Sequence, residues 1–131
     1  MQEKVLKVGL IGLGNMGRNH LRVLSMLKGF ELAFVADANG EVAAKTGQAH
    51  GIPGVVDPTP LLAEVDAVVI CTPTVTHADY IRLAAAHVKN IFVEKPLAAT
   101  LEEAQDIAAF AREKSLNVQV GFIERFNPAV Q

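Results

Sequence analysis

The chain has 131 residues, of which 50% are hydrophobic and 20% charged, and its formal net charge is -2. These values predict one folded domain with a sizeable core and argue against a disordered chain. Because lysines and arginines are scattered rather than gathered in a basic stripe, we expect no nucleic-acid partner. The chain also has neither a signal-peptide pattern nor an apolar run long enough to cross a bilayer, so we expect no membrane partner.

Apolar runs alternate with segments of helical spacing along the whole chain. Val5 to Ile11 is predicted to be a buried strand that ends in a glycine-rich turn, and residues 16–27 follow as a helix. Further strands are predicted at residues 30–36, 55–56, 67–70, 91–93 and 118–120, and further helices at residues 41–49, around 61–62, at 76–87 and after 100.

Two capping boxes mark the starts of the last two helices. Thr76 is followed three residues later by Asp79, and Thr100 by Glu103. Strands that alternate with helices imply parallel strands joined by right-handed crossovers, and six of them fit the strand order 3-2-1-4-5-6. The sequence therefore predicts a single α/β domain of the Rossmann type, a doubly wound parallel sheet of about six strands.

The first chemical motif is a G-x-G-x-x-G pattern between the first predicted strand and helix. Gly12 permits a tight turn, Gly14 lets a pyrophosphate approach the backbone, and Gly17 lets the helix pack close to the strand. Backbone N–H groups at the helix start would then face an anion. The alternative is a plain strand-to-helix turn. The motif reads Gly12-Leu13-Gly14-Asn15-Met16-Gly17.

Asp37 ends the second predicted strand, close to the offset of about 20 residues expected for an acid that binds the adenosine ribose. A carboxylate there would repel a 2′-phosphate, and Ala38 and Asn39 supply no cation to hold one. The pattern therefore favours NAD over NADP as cofactor. The alternative is that Asp37 only ends a strand or caps a turn.

Two more loops are predicted at the same edge of the sheet, where ligands of such folds bind. The hydroxyls and backbone of residues 71–77 are placed to line the ribose and nicotinamide side, although His77 alone is equally compatible with a surface histidine. Glu94 and Lys95 follow the fifth strand and would orient a nicotinamide and polarise a substrate hydroxyl. A solvated ion pair is the alternative for these two residues.

Cys71 is the only cysteine, so no disulfide can form within the chain, and we expect a reduced, cytoplasmic protein. Its side chain is interpreted as a small buried residue rather than a reactive thiol. His20, His50 and His87 lie on predicted helices or helix ends without ligand-like spacing, so we predict no metal site.

Taken together, these motifs resemble the Gfo/Idh/MocA family of NAD(P)-dependent oxidoreductases over essentially the whole chain. Glu94-Lys95-Pro96 is much more specific in this position than the glycine motif. The other matching residues are the glycine motif at 12–17, Asp37, Thr72-Pro73-Thr74 with His77, and Gly121-Phe122 followed by Arg125-Phe126-Asn127-Pro128.

The resemblance implies oxidation of a hydroxyl of a sugar, cyclitol or similar small polyol, or the reverse reduction. It implies that Lys95 is the catalytic residue, lying beside the nicotinamide and favouring the alkoxide character that develops as hydride leaves. It places Arg125 near a domain junction. The predicted cofactor-binding residues are Gly12, Leu13, Gly14, Asn15, Met16, Gly17, Asp37, Ala38, Cys71, Thr72, Pro73, Thr74, His77, Glu94, Lys95, Pro96 and Arg125.

The resemblance also implies a second α/β domain that carries an acid/base histidine, most of the substrate pocket and the oligomer interface. We therefore assign residues 1–121 to the NAD-binding domain and residues 122–131 to the start of a connection. The isolated chain is expected to bind NAD with little or no turnover. The alternatives are a non-catalytic NAD-binding regulator, against which Lys95 argues, and a Rossmann domain for another nucleotide-like ligand.

Overall fold

In the computed structural model, residues 5–121 are described, and they form one six-stranded parallel sheet flanked by helices. Each strand lies within one or two residues of its predicted position, because short apolar runs bounded by turns are a strong strand signal. The strands are β1 Leu6–Ile11, β2 Phe30–Ala36, β3 Gly54–Val55, β4 Ala67–Ile70, β5 Asn90–Val93 and β6 Asn117–Val120.

The strand order in the sheet is β3-β2-β1-β4-β5-β6, and every neighbouring pair is parallel. The prediction of a doubly wound Rossmann sheet is therefore confirmed. The chain leaves β1 towards β2 on one side and returns to β4 on the other. Strand order thus reverses between β1 and β4, and their carboxyl ends open the crevice in which such folds bind ligands.

Four α-helices connect the strands. Two begin at side-chain caps: Asn39 accepts from the N–H groups of Glu41 and Val42, and Thr100 accepts from that of Glu103. None of the helices in residues 5–121 is both long enough and apolar enough to cross a membrane. The helices are α1 Asn15–Met26, α2 Gly40–His50, α3 His77–Ala85 and α4 Leu101–Glu113, with 3₁₀ helices at Thr59–Glu64 and Thr74–Thr76.

The predicted capping box at Thr76 is wrong. Thr76 does directly precede α3, which begins at His77, but it closes a 3₁₀ turn of residues 74–76 and has a helical backbone conformation instead of the extended one typical of a capping residue. The Thr76 hydroxyl therefore points back along the chain, donating to the Pro73 carbonyl at 2.6 Å and lying 2.7 Å from the Thr72 hydroxyl oxygen. It makes no capping bond to α3 and instead braces the loop that follows β4.

Apolar side chains fill both faces of the sheet. On one face Phe34, Ile81 and Ile107 belong to a cluster between the sheet and helices α3 and α4. On the other face Leu10 and Leu24 belong to a cluster between the sheet and α1. Because both faces are covered around β1 and β4, the strand ends there are held rigidly, and the loops that extend from them have a defined position.

Candidate functional site

The turn between β1 and α1 is shaped by two glycines that the chain's own packing requires. Gly12 has a φ of +102°, and a Cβ atom there would lie 2.6 Å from the backbone carbon of Cys71. A Cβ atom at Gly17 would collide with the carbonyl oxygen of Gly12. The missing side chain of Gly12 therefore lets the turn lie directly against the loop that follows β4, and that of Gly17 lets the first turn of α1 pack against the backbone of Gly12.

Gly14 differs from these two glycines, because a Cβ atom there would meet no atom of the described part of the chain within 4 Å. The protein's own packing therefore gives no reason for a glycine at this position. It stands at the N-cap of α1, exposed, next to an open cleft. A ligand that must approach the backbone closely would explain the glycine, as a pyrophosphate does in this motif.

The N-terminus of α1 has no side-chain cap and no acidic residue in its first turn. Helices α2 and α4, by contrast, each have a side-chain cap and an acidic residue in the first turn. The first N–H groups of α1 are therefore left facing the cleft without a competing side chain. Together with the helix dipole, they make this end of α1 suited to an anion such as pyrophosphate.

Asp37 joins the end of β2 to this turn. One carboxylate oxygen accepts the N–H of Leu13 at 2.7 Å, and the other accepts the N–H of Asn39 at 2.8 Å. Asp37 therefore does cap a turn, which was the alternative reading of this residue. Each carboxylate oxygen retains a further lone pair, so binding of ribose hydroxyls remains compatible with the geometry and stays a prediction.

A cleft of about 620 Å³ lies between the glycine turn, Asp37 and the loop after β4. It brings together most of the residues predicted to bind the cofactor, although they come from three separate parts of the chain. Its lining residues are Gly12, Leu13, Gly14, Asn15, Met16, Asp37, Ala38, Cys71, Thr72, Pro73, Thr76 and Tyr80.

Tyr80 lines the cleft but was not predicted, whereas Thr76 lines it as part of the loop of residues 71–77 whose hydroxyls were expected there. Thr76 directly precedes α3, and Tyr80 lies in the first turn of that helix. Tyr80 was missed because it belongs to a helix rather than to a loop that follows a strand.

His77 was predicted to contact the cofactor, but its ring lies inside the protein and is only 1% exposed. Its Nε2 is 3.0 Å from the carbonyl oxygen of Thr72, and its Nδ1 is 3.1 Å from that of Leu97. The ring thus connects the loop after β4 with the loop after β5. The structure places His77 behind the cleft and gives both ring nitrogens partners within the protein.

Glu94 is also turned into the protein. It is 7% exposed, and its Oε2 lies 2.6 Å from Nε2 of His20, which is completely buried in α1. This burial contradicts the alternative reading of Glu94 as half of a solvated ion pair. Instead, Glu94 links the end of β5 to the helix that begins at the glycine turn.

Lys95 and Pro96 follow directly, joined by a cis peptide bond, and both are exposed at the carboxyl edge of the sheet. Along with Thr74 and Gly17, they are predicted cofactor-binding residues that do not line the cleft itself. Arg125, which was predicted to lie near a domain junction, falls outside the described residues.

His20, Cys71 and Glu94 form one group with metal-ligating atoms, all within 4.8 Å of one another. Two ligands about 2.0 Å from one tetrahedral ion lie about 3.3 Å apart. The separation of 2.6 Å between His20 and Glu94 is shorter than this and is that of a hydrogen bond. We therefore treat these two residues as a hydrogen-bonded pair rather than as metal ligands.

A family model described as "Oxidoreductase family, NAD-binding Rossmann fold" matches residues 6–122. The chain belongs to the Gfo/Idh/MocA family. This membership confirms the resemblance drawn from the motifs, and it agrees with NAD as the expected cofactor.

Relatives from this family match the chain almost end to end. The scyllo-inositol 2-dehydrogenase (NAD(+)) of Bacillus subtilis is 37% identical, over 97% of this chain and 38% of its own length. The solved UDP-N-acetylglucosamine 3-dehydrogenase of Acidithiobacillus ferrooxidans is 36% identical with a TM-score of 0.83, over 97% of this chain and 42% of that one. A mutant 3-ketoreductase of Actinomadura kijaniata was solved in complex with TDP-benzene and NADP. It is 27% identical with a TM-score of 0.83, over 97% of this chain and 41% of that one.

The chain spans about two fifths of the length of the curated relatives that it matches. The matched part of each relative corresponds to the Rossmann sheet described above. The cleft lies within this matched part.

Proposed function

We propose that this chain binds NAD in the cleft of the glycine turn, and that it is the cofactor half of a dehydrogenase acting on a hydroxyl of a sugar, cyclitol or similar polyol. The uncapped N-terminus of α1 carries the proposal. It opens on a glycine whose missing side chain serves no internal packing, and the carboxylate of Asp37 stands in the same cleft.

The residues present fit the two ends of a dinucleotide. The first N–H groups of α1 would hold the pyrophosphate, and Asp37 would accept from the adenosine ribose hydroxyls while excluding a 2′-phosphate. The loop of Thr72 and Thr76 offers hydroxyls on the opposite side of the cleft. NAD, when bound, supplies the hydride acceptor, and the protein supplies binding and orientation.

Lys95 is the proposed catalytic residue. It is exposed after β5, two strands from β1 at the same edge of the sheet as the cleft. Its ammonium group would stabilise negative charge on the substrate oxygen as hydride departs. Substrate specificity, proton transfer and oligomerisation are assigned to a second domain, for which residues 122–131 would begin the connection.

The test is a calorimetric titration of this chain with NADH and with NADPH, repeated for Asp37→Asn. We expect wild-type protein to prefer NADH. We expect Asp37→Asn to bind NADH about tenfold more weakly and to lose much of the preference, because one charge-assisted acceptor and the repulsion of a 2′-phosphate are removed together.

Asp66→Asn is the matched control. Asp66 also accepts a backbone N–H, that of Lys7 at 2.9 Å, but at the opposite edge of the sheet. Its substitution should leave the ratio of the two affinities unchanged. A preference of the wild-type chain for NADPH, or an equal effect of both substitutions, would refute the role given to Asp37.

The polyol reaction is tested on a longer protein that contains this chain and the second domain. Oxidation of a polyol with NAD, lost in Lys95→Ala and partly retained in Lys95→Arg, would support the dehydrogenase. Tight NAD binding without turnover on any polyol would instead favour the regulator.

A further inference from the structure

Beneath the cleft lies a buried pair, His20 and Glu94, that neither lines the cleft nor belongs to an apolar cluster. His20 is fully buried, and Glu94 is 7% exposed. The His20 ring packs edge-on against Phe92 of β5, with ring centroids 5.8 Å apart. Its Nε2 meets the carboxylate of Glu94 at 2.6 Å. The Cys71 sulfur is within 4.8 Å of the ligand atoms of both residues, so the pair lies directly below the loop that follows β4.

The direction of this hydrogen bond follows from the other ring nitrogen. Nδ1 of His20 is buried and has no hydrogen-bond partner within residues 5–121. A proton on Nδ1 would bury an N–H group without an acceptor, which is costly, whereas a bare ring nitrogen loses much less. The ring therefore carries its proton on Nε2 and donates it to the ionised carboxylate of Glu94.

The pair connects two parts of the proposed site that lie far apart in the sequence. His20 sits in α1, whose first turn faces the cleft, and Glu94 is the residue immediately before Lys95. Strand β4 separates β1 from β5 in the sheet, so backbone hydrogen bonds join the glycine turn to the lysine turn only through β4. The side-chain bond between His20 and Glu94 spans this gap.

We propose that His20 is a positioning residue, which acts through Glu94 to hold Lys95 in a fixed relation to the phosphate-binding end of α1. This proposal rests on the proposed function of the cleft and of Lys95. An ordered link of this kind sets the distance between the bound pyrophosphate and the lysine, a distance on which alignment of the nicotinamide depends.

The test uses two amides of different length at position 20. The side-chain nitrogen of His20→Gln reaches the place of Nε2 and can still donate to Glu94. The side-chain nitrogen of His20→Asn reaches only the place of Nδ1, where there is no partner. His50→Gln and His50→Asn are the controls, because His50 is exposed at the end of α2.

The first measurement is the NMR signal of Lys95 in the absence of cofactor, after reductive methylation of the chain with ¹³C-formaldehyde and assignment by Lys95→Arg. We expect His20→Gln to keep the wild-type signal and His20→Asn to shift it. Both His50 variants should leave it unchanged. A Lys95 signal that is the same in both folded His20 variants as in the wild type overturns the proposal, whatever the chain binds.

The second measurement compares NADH with ADP-ribose, which lacks the nicotinamide. We expect His20→Asn to weaken NADH binding about tenfold and ADP-ribose binding by less than about twofold. We expect His20→Gln to bind each ligand about as tightly as the wild-type chain does. Equal weakening of both ligands would mean that His20 only supports the cradle, and it would overturn the proposal. If wild-type chain binds neither ligand, the proposed function fails, while the Lys95 signal still decides the role of His20.

If His20→Asn does not fold, the same question is put to the other partner. Glu94→Gln retains an acceptor oxygen for the His20 N–H, whereas Glu94→Met has a similar shape without one. The Lys95 signal should stay near the wild-type position in the first and move in the second. The same signal in both variants would contradict the proposal.

Discussion

At the scale of single residues, three glycines of one motif do two different things. Gly12 and Gly17 are required by contacts within the protein, since side chains there would strike backbone atoms. Gly14 is required by no such contact and faces open space. The motif therefore contains two positions at which internal packing requires glycine and one at which it does not, a distinction invisible in the letters G-x-G-x-x-G.

Alanine at Gly14 should therefore affect mainly NADH binding, whereas alanine at Gly17 should affect mainly the stability of the fold. Gly14→Ala should lower the free energy of unfolding by less than about 1 kcal/mol, since only the N-cap preference changes, yet weaken NADH binding about tenfold or more. Gly17→Ala should destabilise the fold by about 3 kcal/mol or more, because backbone must move to admit the methyl group. Thermal unfolding and NADH titration of both variants measure these quantities.

Loss of stability in Gly14→Ala equal to that in Gly17→Ala would show that the open space beside Gly14 is misassigned. Unchanged NADH binding by a folded Gly14→Ala would show that the pyrophosphate lies elsewhere.

At the scale of elements, the α-helices differ in whether a side chain caps their N-terminus. Asn39 and Thr100 cap α2 and α4 with side-chain oxygens, and acids follow in the first turn. The start of α1 lacks both features, so no side chain competes for its first N–H groups within residues 5–121, as the proposed pyrophosphate site requires. Local sequence predicted the cap at Thr100 correctly, but it was wrong at Thr76, where a 3₁₀ turn redirected the hydroxyl, and it did not identify the cap at Asn39.

The cap of α2 gives a prediction that concerns stability alone. Asn39→Ala removes the acceptor for the N–H groups of Glu41 and Val42 and should cost about 1 kcal/mol of unfolding free energy. Asn39→Asp retains an acceptor oxygen and should cost much less. Chemical denaturation compares the two, and an equal loss in both would mean that the side-chain oxygen does not stabilise the helix.

At the scale of the whole molecule, the strand order gathers the site. The glycine turn, Asp37 and the loop of Thr72 are far apart in the sequence but meet because β2 and β4 both flank β1 in a parallel sheet. All three segments follow carboxyl ends of strands and so emerge at the same edge. A cofactor bound there contacts segments from three connections and should stabilise the whole sheet.

This coupling predicts a large thermal effect of the cofactor. At a free NADH concentration 100 times the Kd, binding adds about 2.7 kcal/mol to the free energy of unfolding. For a domain of this size we expect the Tm to rise by roughly 10 °C. Scanning calorimetry with increasing NADH measures the shift, with adenosine as a control that lacks the pyrophosphate. No shift at saturating NADH would contradict binding to the folded sheet.

By itself the sequence determined the fold class, the order of elements and most of the cleft. The apolar runs and glycine turn are local signals, and a parallel sheet with right-handed crossovers has few ways to arrange them. Gly12, Asp37 and Thr72 were found for this reason, since each directly follows a predicted strand and must emerge at the ligand edge.

Only the tertiary structure decided which way the other polar side chains point. Glu94 and Lys95 are neighbours in the sequence, yet Glu94 turns inward to His20 while Lys95 is exposed. His77 likewise bonds backbone groups of two loops that local sequence cannot bring together. Such partners lie 20 or 74 residues apart along the chain, and their contacts exist only once the sheet and α1 have packed.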